Sequence, residues 1–568
     1  SGSTYVIYGK SGAFSSTVAV TSLNGTNGFT WHGVTRVDDS GRSVDGAGDM
    51  NGDGIEDFII GANGVDTGGG DAGAAYVVFG TTSGFSSSTS LSALNGTNGF
   101  VVIGAAYNDQ LGRTVSAAGD INGDGYDDII VGARTADPNG ADSGAAYVVF
   151  GHSGAFSASM GVGSLNGTNG FKLSGVAAGD GAGSSVSSAG DINGDGFDDL
   201  IVGARYADNN GASSGTSYVV FGKTSGFSSN INLGLLNGSD GFRLIGAAGG
   251  DQSGVSVSGA GDLNGDGYAD LLVGARHADG NGFDSGATYV LFGKSSGFSS
   301  AINLSSLNGV DGLRIVGVSS GDQAGHAVSA AGDVNGDGND DLILGANLAD
   351  ANGGTSGSAY VVFGSKVFGA APVVLDLNRD GALDLVSLDR STTYFDLTGD
   401  GSVDRVGWVG SEDGFLAVDL DGNGRIDRAD ELVFTMHHPD ARTDLEGIRL
   451  AFDSNQNGVL DAQDGRWADF RIWQDGDSDG VSDDGEVFGL DQAGIASVGL
   501  LPGGAPSEVE GNLVSGWSGY TKSDGTSGLV GDVILRGEAG PAEDAGDKVS
   551  LRDRIRVTGD ADRLTIDG

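Results

Sequence analysis

A strict internal repeat of 71 residues constrains this chain more than any other feature. The string YVIYG at Tyr5 returns as YVVFG at Tyr76, Tyr147 and Tyr218, YVLFG at Tyr289 and YVVFG at Tyr360. LNGTNGF at Leu23, Leu94 and Leu165 keeps the same spacing and continues as LNGSDGF at Leu236 and LNGVDGL at Leu307. So regular a period means one supersecondary unit copied and stacked. Four segments of each unit read as strands: TVSAAGD, DDLIVGA, SGAAYVVFG and the stretch after LNGTNGF. Clusters of Gly, Asn, Asp and Ser separate them as turns, and a helical period is almost absent. Four strands per repeat make one propeller blade. A parallel β-helix has shorter coils and a sandwich keeps no constant period, so the expected fold is all-β, a β-propeller over residues 1–368.

Composition limits what such a fold can serve. The 568 residues exceed one ordinary core. With 76 acidic and 29 basic residues the net charge is −47, yet the chain is 38 % apolar at fixed spacing, which separates it from disordered acidic chains. So much negative charge repels nucleic acid and anionic membrane surfaces, and no apolar run approaches the roughly 18 residues that span a bilayer, so neither nucleic-acid binding nor membrane insertion is expected. The absence of cysteine removes disulfides, zinc-thiolate sites and thiol nucleophiles. Because the sequence opens in mid-pattern, a processed product or a segment of something longer is expected.

The natural counterions are metal cations, and the repeat supplies loops for them. Each unit carries a sequence of the type AGDINGDGYDDIIVGA, with oxygen donors at positions 1, 3, 5 and 9 and a backbone carbonyl at position 7. The sets are Asp49, Asn51, Asp53, Ile55 and Asp57; Asp120, Asn122, Asp124, Tyr126 and Asp128; Asp191, Asn193, Asp195, Phe197 and Asp199; Asp262, Asn264, Asp266, Tyr268 and Asp270; and Asp333, Asn335, Asp337, Asn339 and Asp341. Oxygen-only donors in a flexible turn suit Ca²⁺ better than Mg²⁺, zinc or copper, and a glycine at position 6 permits the bend. The expected role is structural, since five equivalent carboxylate sets lack the unequal environments that acid and base catalysis require. Two further aspartate rows, Asp66, Asp137, Asp208, Asp279 and Asp350, and Asp38, Asp109, Asp180, Asp251 and Asp322, read as turn caps.

The segment from GRTVSAAGD through NGDGYDDIIVGA to YVVFG resembles the FG-GAP repeats of integrin α-subunit propellers and of many bacterial surface proteins. The resemblance covers five full copies, about residues 41–364. It implies blades whose acidic loop, between the first two strands, holds Ca²⁺ at the rim. Residues 1–34 look like the last two strands of another blade, so the ring is expected to close as six or seven blades, with blades missing upstream in the second case.

Beyond Phe368 the period stops, and five of the six prolines and four of the five tryptophans follow, which marks a domain boundary. Residues 369–500 are expected to form a calcium-binding domain and residues 501–568 a β-rich tail. Asp376, Asn378, Asp380 and Asp384, and Asp396, Thr398, Asp400 and Asp404, keep the blade-loop spacing. They suit another divergent blade or, preferably, a separate small β-rich unit. Three EF-hand-like loops follow: Asp419, Asp421, Asn423, Asp427 and Asp430; Asp453, Asn455, Asn457, Asp461 and Asp464; and Asp475, Asp477, Asp479, Asp483 and Glu486. The flanks TDLEGIRLAF and GEVFGLDQAGIASVGLL can supply short helices. This arrangement resembles the calcium-binding module of haemolysin-type (RTX) secreted proteins and giant adhesins exported by type I systems, although their glycine-rich nonapeptide repeat is absent.

About ten Ca²⁺ would take the net charge from −47 to about −27 and turn a self-repelling chain into a compact one. The expectation is an extracellular, secreted or surface-associated bacterial protein that binds a protein or glycan on a cell surface or matrix. The alternatives are a self-associating subunit of a surface layer or filament and, behind it, a secreted hydrolase. Catalysis has little support: four of the six histidines fall singly in repeats whose other copies differ, and His437-His438 lies near Asp440 without a nucleophile motif.

Overall fold

The computed structural model describes residues 1–568 apart from 67–69, 225, 296, 308–310, 337, 351–353, 365–371, 398–402, 439–440, 442, 504–506 and 539–568. The chain divides into two compact units, Ser1–Val367 and Phe368–Gly568.

In the first unit each repeat forms one antiparallel blade. In the second blade the strands are Thr114–Gly119, Asp128–Ala133, Ala145–Val149 and Gly170–Ser174. Tyr147 of the third strand faces Val131 and Lys172 of its neighbours. The second and third strands are buried at every residue, as expected where both faces of a sheet are covered. Blades I to V therefore begin with the first strands Val44–Gly48, Thr114–Gly119, Ser185–Gly190, Ser256–Gly261 and Ala324–Gly332, and these lie side by side in that order.

The four expected strands are present, and a fifth, three-residue strand joins them from elsewhere. Between its third and fourth strands blade II sends out Ser159–Gly161, which runs parallel to Gly99–Ile103, the fourth strand of blade I. Ser88–Ser90, Asn230–Asn232 and Ala301–Asn303 do the same to Gly28–His32, Gly170–Ser174 and Gly241–Ile245. Each bridging segment also inserts a phenylalanine. Phe156 stacks on Phe100 of the preceding blade at 4.8 Å, Phe227 on Phe171 at 4.6 Å and Phe298 on Phe242 at 4.4 Å. Gly170 shows why the fourth strand opens on glycine: its φ is +128° and a Cβ would lie 2.1 Å from the Val148 carbonyl oxygen.

At the two ends of the array the sheets are incomplete. Ser3–Ile7, Gly28–His32 and Ser88–Ser90 form one, and Ala324–Gly332, Asp341–Ala346 and Ser358–Val362 form the other. Among the described residues these two sheets share no strand pairing. Both contain a third-type strand, and such strands pair with second and fourth strands, not with each other.

The second unit is built on a nine-stranded sheet whose described pairings are all antiparallel. Val373–Leu375 lies between Gly414–Val418 and Ser527–Ile534, and the last pairs with Asn512–Lys522. The long hairpin is central, so residues 507–534 belong to this unit and are not a separate tail. Trp408, Trp473 and Phe415 pack in one core cluster, and Phe434, Phe452 and Tyr520 in a second. TDLEGIRLAF does form a helix, Asp444–Ala451, capped by Thr443, which accepts the Glu446 N–H at 3.3 Å. GEVFGLDQAGIASVGLL forms strands Val487–Gly489 and Ile495–Gly499 instead of a helix, because Gly489 and Gly494 bracket a turn and both segments find partners on the sheet.

Candidate metal centres

The blade loops are wound tightly around their first aspartate. Asp49 accepts N–H bonds from Asp53 at 3.0 Å and Gly54 at 2.7 Å. Asp120, Asp191 and Asp262 do the same in their loops, and Asp333 accepts N–H bonds from Gly336 at 2.6 Å and Gly338 at 3.0 Å. The position-3 asparagines Asn51, Asn193 and Asn264 accept the N–H of position 5. The position-7 carbonyls of Ile55, Tyr126, Phe197 and Tyr268 accept no hydrogen bond among the described residues. Asp337 lies outside the described residues, so the fifth loop is seen only in part.

Position 9 is the anchor. One oxygen of Asp199 accepts the Ile192 N–H at 3.1 Å, and the other reaches the Gly222 N–H at 2.8 Å beyond the third strand. Asp57, Asp270 and Asp341 repeat both contacts. Burial pushes the Asp128 carboxyl up to about 9, against the pull of the Gly151 N–H and with help from the Asp124 and Asp120 charges. The same causes take Asp199 and Asp270 to about 8 and Asp57 to about 7. Such a cluster needs a cation if all its carboxylates are to stay ionised at neutral pH.

The loops are also tied to one another through position 8, which sequence reasoning left unassigned. Asp127 accepts the Asp49 N–H at 2.7 Å, Asp198 the Asp120 N–H at 2.9 Å and Asp340 the Asp262 N–H at 2.9 Å. The remaining junction has Ala269, whose backbone N–H bonds the Asp191 carbonyl at 3.2 Å. Position-7 rings close the contact. A Cβ on Gly52 would fall 2.3 Å from the Tyr126 ring, and Gly123 and Gly194 stand likewise against Phe197 and Tyr268.

In the second unit a single geometry recurs four times. An acid closes each loop by accepting the N–H groups of positions 2 and 9 with its two oxygens. Glu486 takes Gly476 at 2.8 Å and Asp483 at 3.0 Å. Asp464 takes Ser454 at 2.9 Å and Asp461 at 3.0 Å. In the first EF-like loop the closing acid is Glu431, which takes Leu420 at 3.1 Å and Asp427 at 3.2 Å. Asp430, the residue expected at this place, directs one carboxylate oxygen to Arg428, and its Oδ1 is buried without a hydrogen-bond partner. One residue more than the 12-residue template sufficed to hide the fully buried Glu431.

The fourth instance is split in sequence. Asp376, Asn378, Asp380 and Asp384 form a wound loop, and Asp413, 29 residues beyond Asp384, closes it by accepting the Leu377 N–H at 3.0 Å and the Asp384 N–H at 2.8 Å. Asp413 is fully buried, and burial lifts its carboxyl to about 6 against those two N–H bonds, with Asp376 and Asp384 adding to the rise. Of the related loop, Asp396 and Asp404 are described, whereas Thr398 and Asp400 lie outside the described residues.

Two observations test the fit to a hard cation. Carboxylate oxygens of Asp419, Asp421 and Glu431 lie within 4.8 Å of one another, as do those of Asp475, Asp477 and Glu486, and of Asp477, Asp479 and Asp483. Asp376 Oδ1 and Asp419 Oδ1 are buried with no hydrogen-bond donor. Oxygen cages with orphaned carboxylate oxygens are what Ca²⁺ completes.

The other aspartate rows are turn caps, as their positions suggest. Asp137 and Asp208 accept N–H groups five residues on, and Asp109 and Asp180 accept N–H groups three residues back. His32 bridges Ser3 and Ser88 across its sheet, and His437 packs on Phe434 and Phe452. Asp440 lies outside the described residues. No helix among the described residues is long and apolar enough to cross a membrane.

Comparison with known proteins matches this geometry. Residues 40–78, 111–149, 182–220, 253–291 and 324–362 match the FG-GAP repeat, and each match ends with the third strand of a blade. Residues 373–536 match the SPM domain, which takes in the nine-stranded sheet and the four closed loops. The chain is 33 % identical over 175 residues to the iron-regulated protein FrpA of Neisseria meningitidis serogroup C, covering 29 % of this chain and 15 % of that protein. It is 32 % identical over 244 residues to integrin alpha-V of Gallus gallus, covering 43 % and 21 %. Identity to integrin alpha-PS5 of Drosophila melanogaster is 33 % over 177 residues, covering 30 % and 16 %. The chain thus spans between about a seventh and a fifth of the length of these relatives. Five FG-GAP matches at constant spacing, together with the integrin α relatives, support an FG-GAP β-propeller for the first unit.

Proposed function

We propose that this chain is a calcium-stabilised, extracellular adhesion protein, secreted or surface-bound, that engages a cell-surface or matrix partner through the blade array. The observation that carries the calcium reading is the closing-acid geometry, repeated at Asp413, Glu431, Asp464 and Glu486, beside buried carboxylate oxygens that no donor satisfies. Bound Ca²⁺ supplies positive charge that lets crowded carboxylates ionise and holds the loops in one conformation. The adhesive reading is supported by the FG-GAP repeats and by likeness to integrin α chains and FrpA. The RTX-type resemblance of the second unit and type I export remain part of this proposal.

Binding of the Ca²⁺-loaded protein to immobilised matrix proteins, glycans and whole cells, repeated in chelator, tests it. Saturable binding that chelator abolishes is expected. A folded, loaded protein that binds no surface would sink the adhesive reading. A second reading, self-association into a layer or filament, is favoured by open strand edges. Ser358–Val362 pairs on one side only among the described residues, and Val361 within it and Phe363 just after it are 46 % and 59 % exposed. Ordered polymers formed with Ca²⁺ alone would select it.

A further inference from the structure

Five of the eight arginines in residues 1–367, namely Arg42, Arg113, Arg134, Arg205 and Arg276, gather at the ends of the inner strands opposite the acidic loops. Register places them there. Arg113 precedes the first strand of blade II and Arg134 follows the second, and Thr114 pairs with Gly132 in antiparallel fashion, so both stand at one end. Arg205 and Arg276 hold the place of Arg134 in blades III and IV, directly after Asp199–Ala204 and Asp270–Ala275. Neighbouring blades touch at this level, where the Thr114 hydroxyl donates to the Gly183 carbonyl of blade III at 3.0 Å. A Cβ on Gly181 would come 3.6 Å from the Tyr206 ring and 3.8 Å from the Arg134 carbonyl oxygen. The Arg205 guanidinium lies over the Tyr206 ring, 4.7 Å from its centroid, and donates to the Tyr206 hydroxyl at 2.8 Å.

These cations are crowded, although the turn aspartates Asp109, Asp137, Asp180, Asp208, Asp251 and Asp279 stand at the same end of the strands and Arg276 donates to Gln252 at 2.8 Å and to His277 at 3.1 Å. Burial lowers the Arg113 pKa, and the charges of Arg134, Arg42 and Arg205 lower it further; Arg276 is lowered by burial and by Arg205. In a chain with 76 acidic residues, Arg113, Arg134 and Arg205 have no ion pair among the described residues. Asp284, which acts on Arg276, is paired with His277 at 3.1 Å. The Nε atoms of Arg134 and Arg205 and the Gln110 Oε1 atom are buried without hydrogen-bond partners. Buried donors left unused among like charges are costly unless something outside the chain meets them. Tyr107, 76 % exposed, and Phe283, 73 % exposed, lie on loops at the same end of the strands.

We propose that this end of blades II to IV binds an acidic saccharide, with Arg113, Arg134, Arg205 and Arg276 receiving its carboxylate or sulfate groups and the neighbouring aromatic rings its sugar faces. Guanidinium forks match two-oxygen anions in geometry, and a multivalent glycan can meet several at once. The site names a ligand class for the adhesive reading above and stands on different residues from the calcium loops.

The test is binding of the Ca²⁺-loaded full chain to heparin, polygalacturonate and neutral dextran, with inorganic sulfate as a further probe. Binding to heparin or polygalacturonate but not dextran, weakened by added salt, is expected. The Arg134→Ala/Arg205→Ala double variant should bind at least about ten-fold more weakly while keeping its melting temperature and calcium content, and Arg390→Ala in the second unit should bind unchanged. Should the double variant fail to fold, Arg134→Gln/Arg205→Gln provides the same readout. Equal binding by a folded double variant, binding of dextran, or binding of inorganic sulfate with neither acidic polysaccharide overturns the assignment. Cell-surface binding that survives in the double variant overturns this site and leaves the adhesive reading standing. Heparin binding through the arginines without any surface binding does the reverse.

Discussion

Asp413 closes the Asp376 loop only because the fold brings it back over that loop, where its two oxygens receive N–H groups from both ends. Asp413→Asn keeps an acceptor but removes a charge. The variant should bind one Ca²⁺ fewer by elemental analysis and melt lower than the parent in calcium, but not lower in chelator, where a buried carboxylate raised to about 6 is a burden. Equal calcium content would remove Asp413 from the ligand set. A second residue-scale prediction concerns the pair Asp444 and Asp532, which lies apart from the loops. Burial lifts both carboxyls, Asp532 to about 6 despite its hydrogen bonds, and the Asp532 charge adds to the rise at Asp444. Raised folded values mean that their contribution to stability is complete below the usual aspartate range near pH 4 and is lost as pH climbs through about 6. Asp444→Asn, which still offers Thr435 an oxygen, should therefore melt higher than the parent at pH 7, with the difference shrinking toward pH 4. Tryptophan fluorescence reports it, since four of the five tryptophans lie beyond residue 368.

At the scale of the element, the blade was legible and its stitching was not. Repeated YVVFG and NGDG strings place four strands and a loop because apolar runs and turn residues are local signals. The bridging strands read STS, SMG, NIN and AIN, three residues with no common pattern, and their partners lie in the preceding repeat. Asp413 was hidden for the same reason, and Glu431 by one residue of excess over a familiar template. Position 8 could have been noticed, since Asp127, Asp198 and Asp340 share it and Ala269 breaks the row. One departure is written plainly: Leu313 stands where the other repeats have Phe29, Phe100, Phe171 and Phe242. Blade IV is also the complete blade that takes no bridging strand among the described residues. The bridging phenylalanine should therefore matter: Phe156→Ala, at a 6 % exposed side chain stacked on Phe100, should cost about 3–5 kcal/mol in chemical unfolding. Phe14→Ala, at a 53 % exposed ring, should cost under about 0.5 kcal/mol, and equal effects would deny the bridge its role.

For the whole molecule, the proposed calcium acts on stability through the net charge. A net charge of −47 opposes compaction, and each cation bound only by the folded chain contributes about 2.7 kcal/mol at a hundred times its Kd. Chelation should thus lower the melting temperature of both units and enlarge the radius of gyration in solution scattering, and Mg²⁺ at equal ionic strength should not restore them. Unchanged melting in chelator would return the acidic loops to the status of solvated turns. The bridging strands add a consequence in time. Because Ser159–Gly161 completes the sheet of the blade before it, a chain delivered from its N-terminal end leaves the outer edge of blade I bare until most of blade II has emerged. Blades II and III inherit the same lag of about one repeat. Assembly then advances as a zip whose only unprotected edge is the newest one, and a pause in synthesis or transport at any point exposes a single short strand instead of a whole sheet.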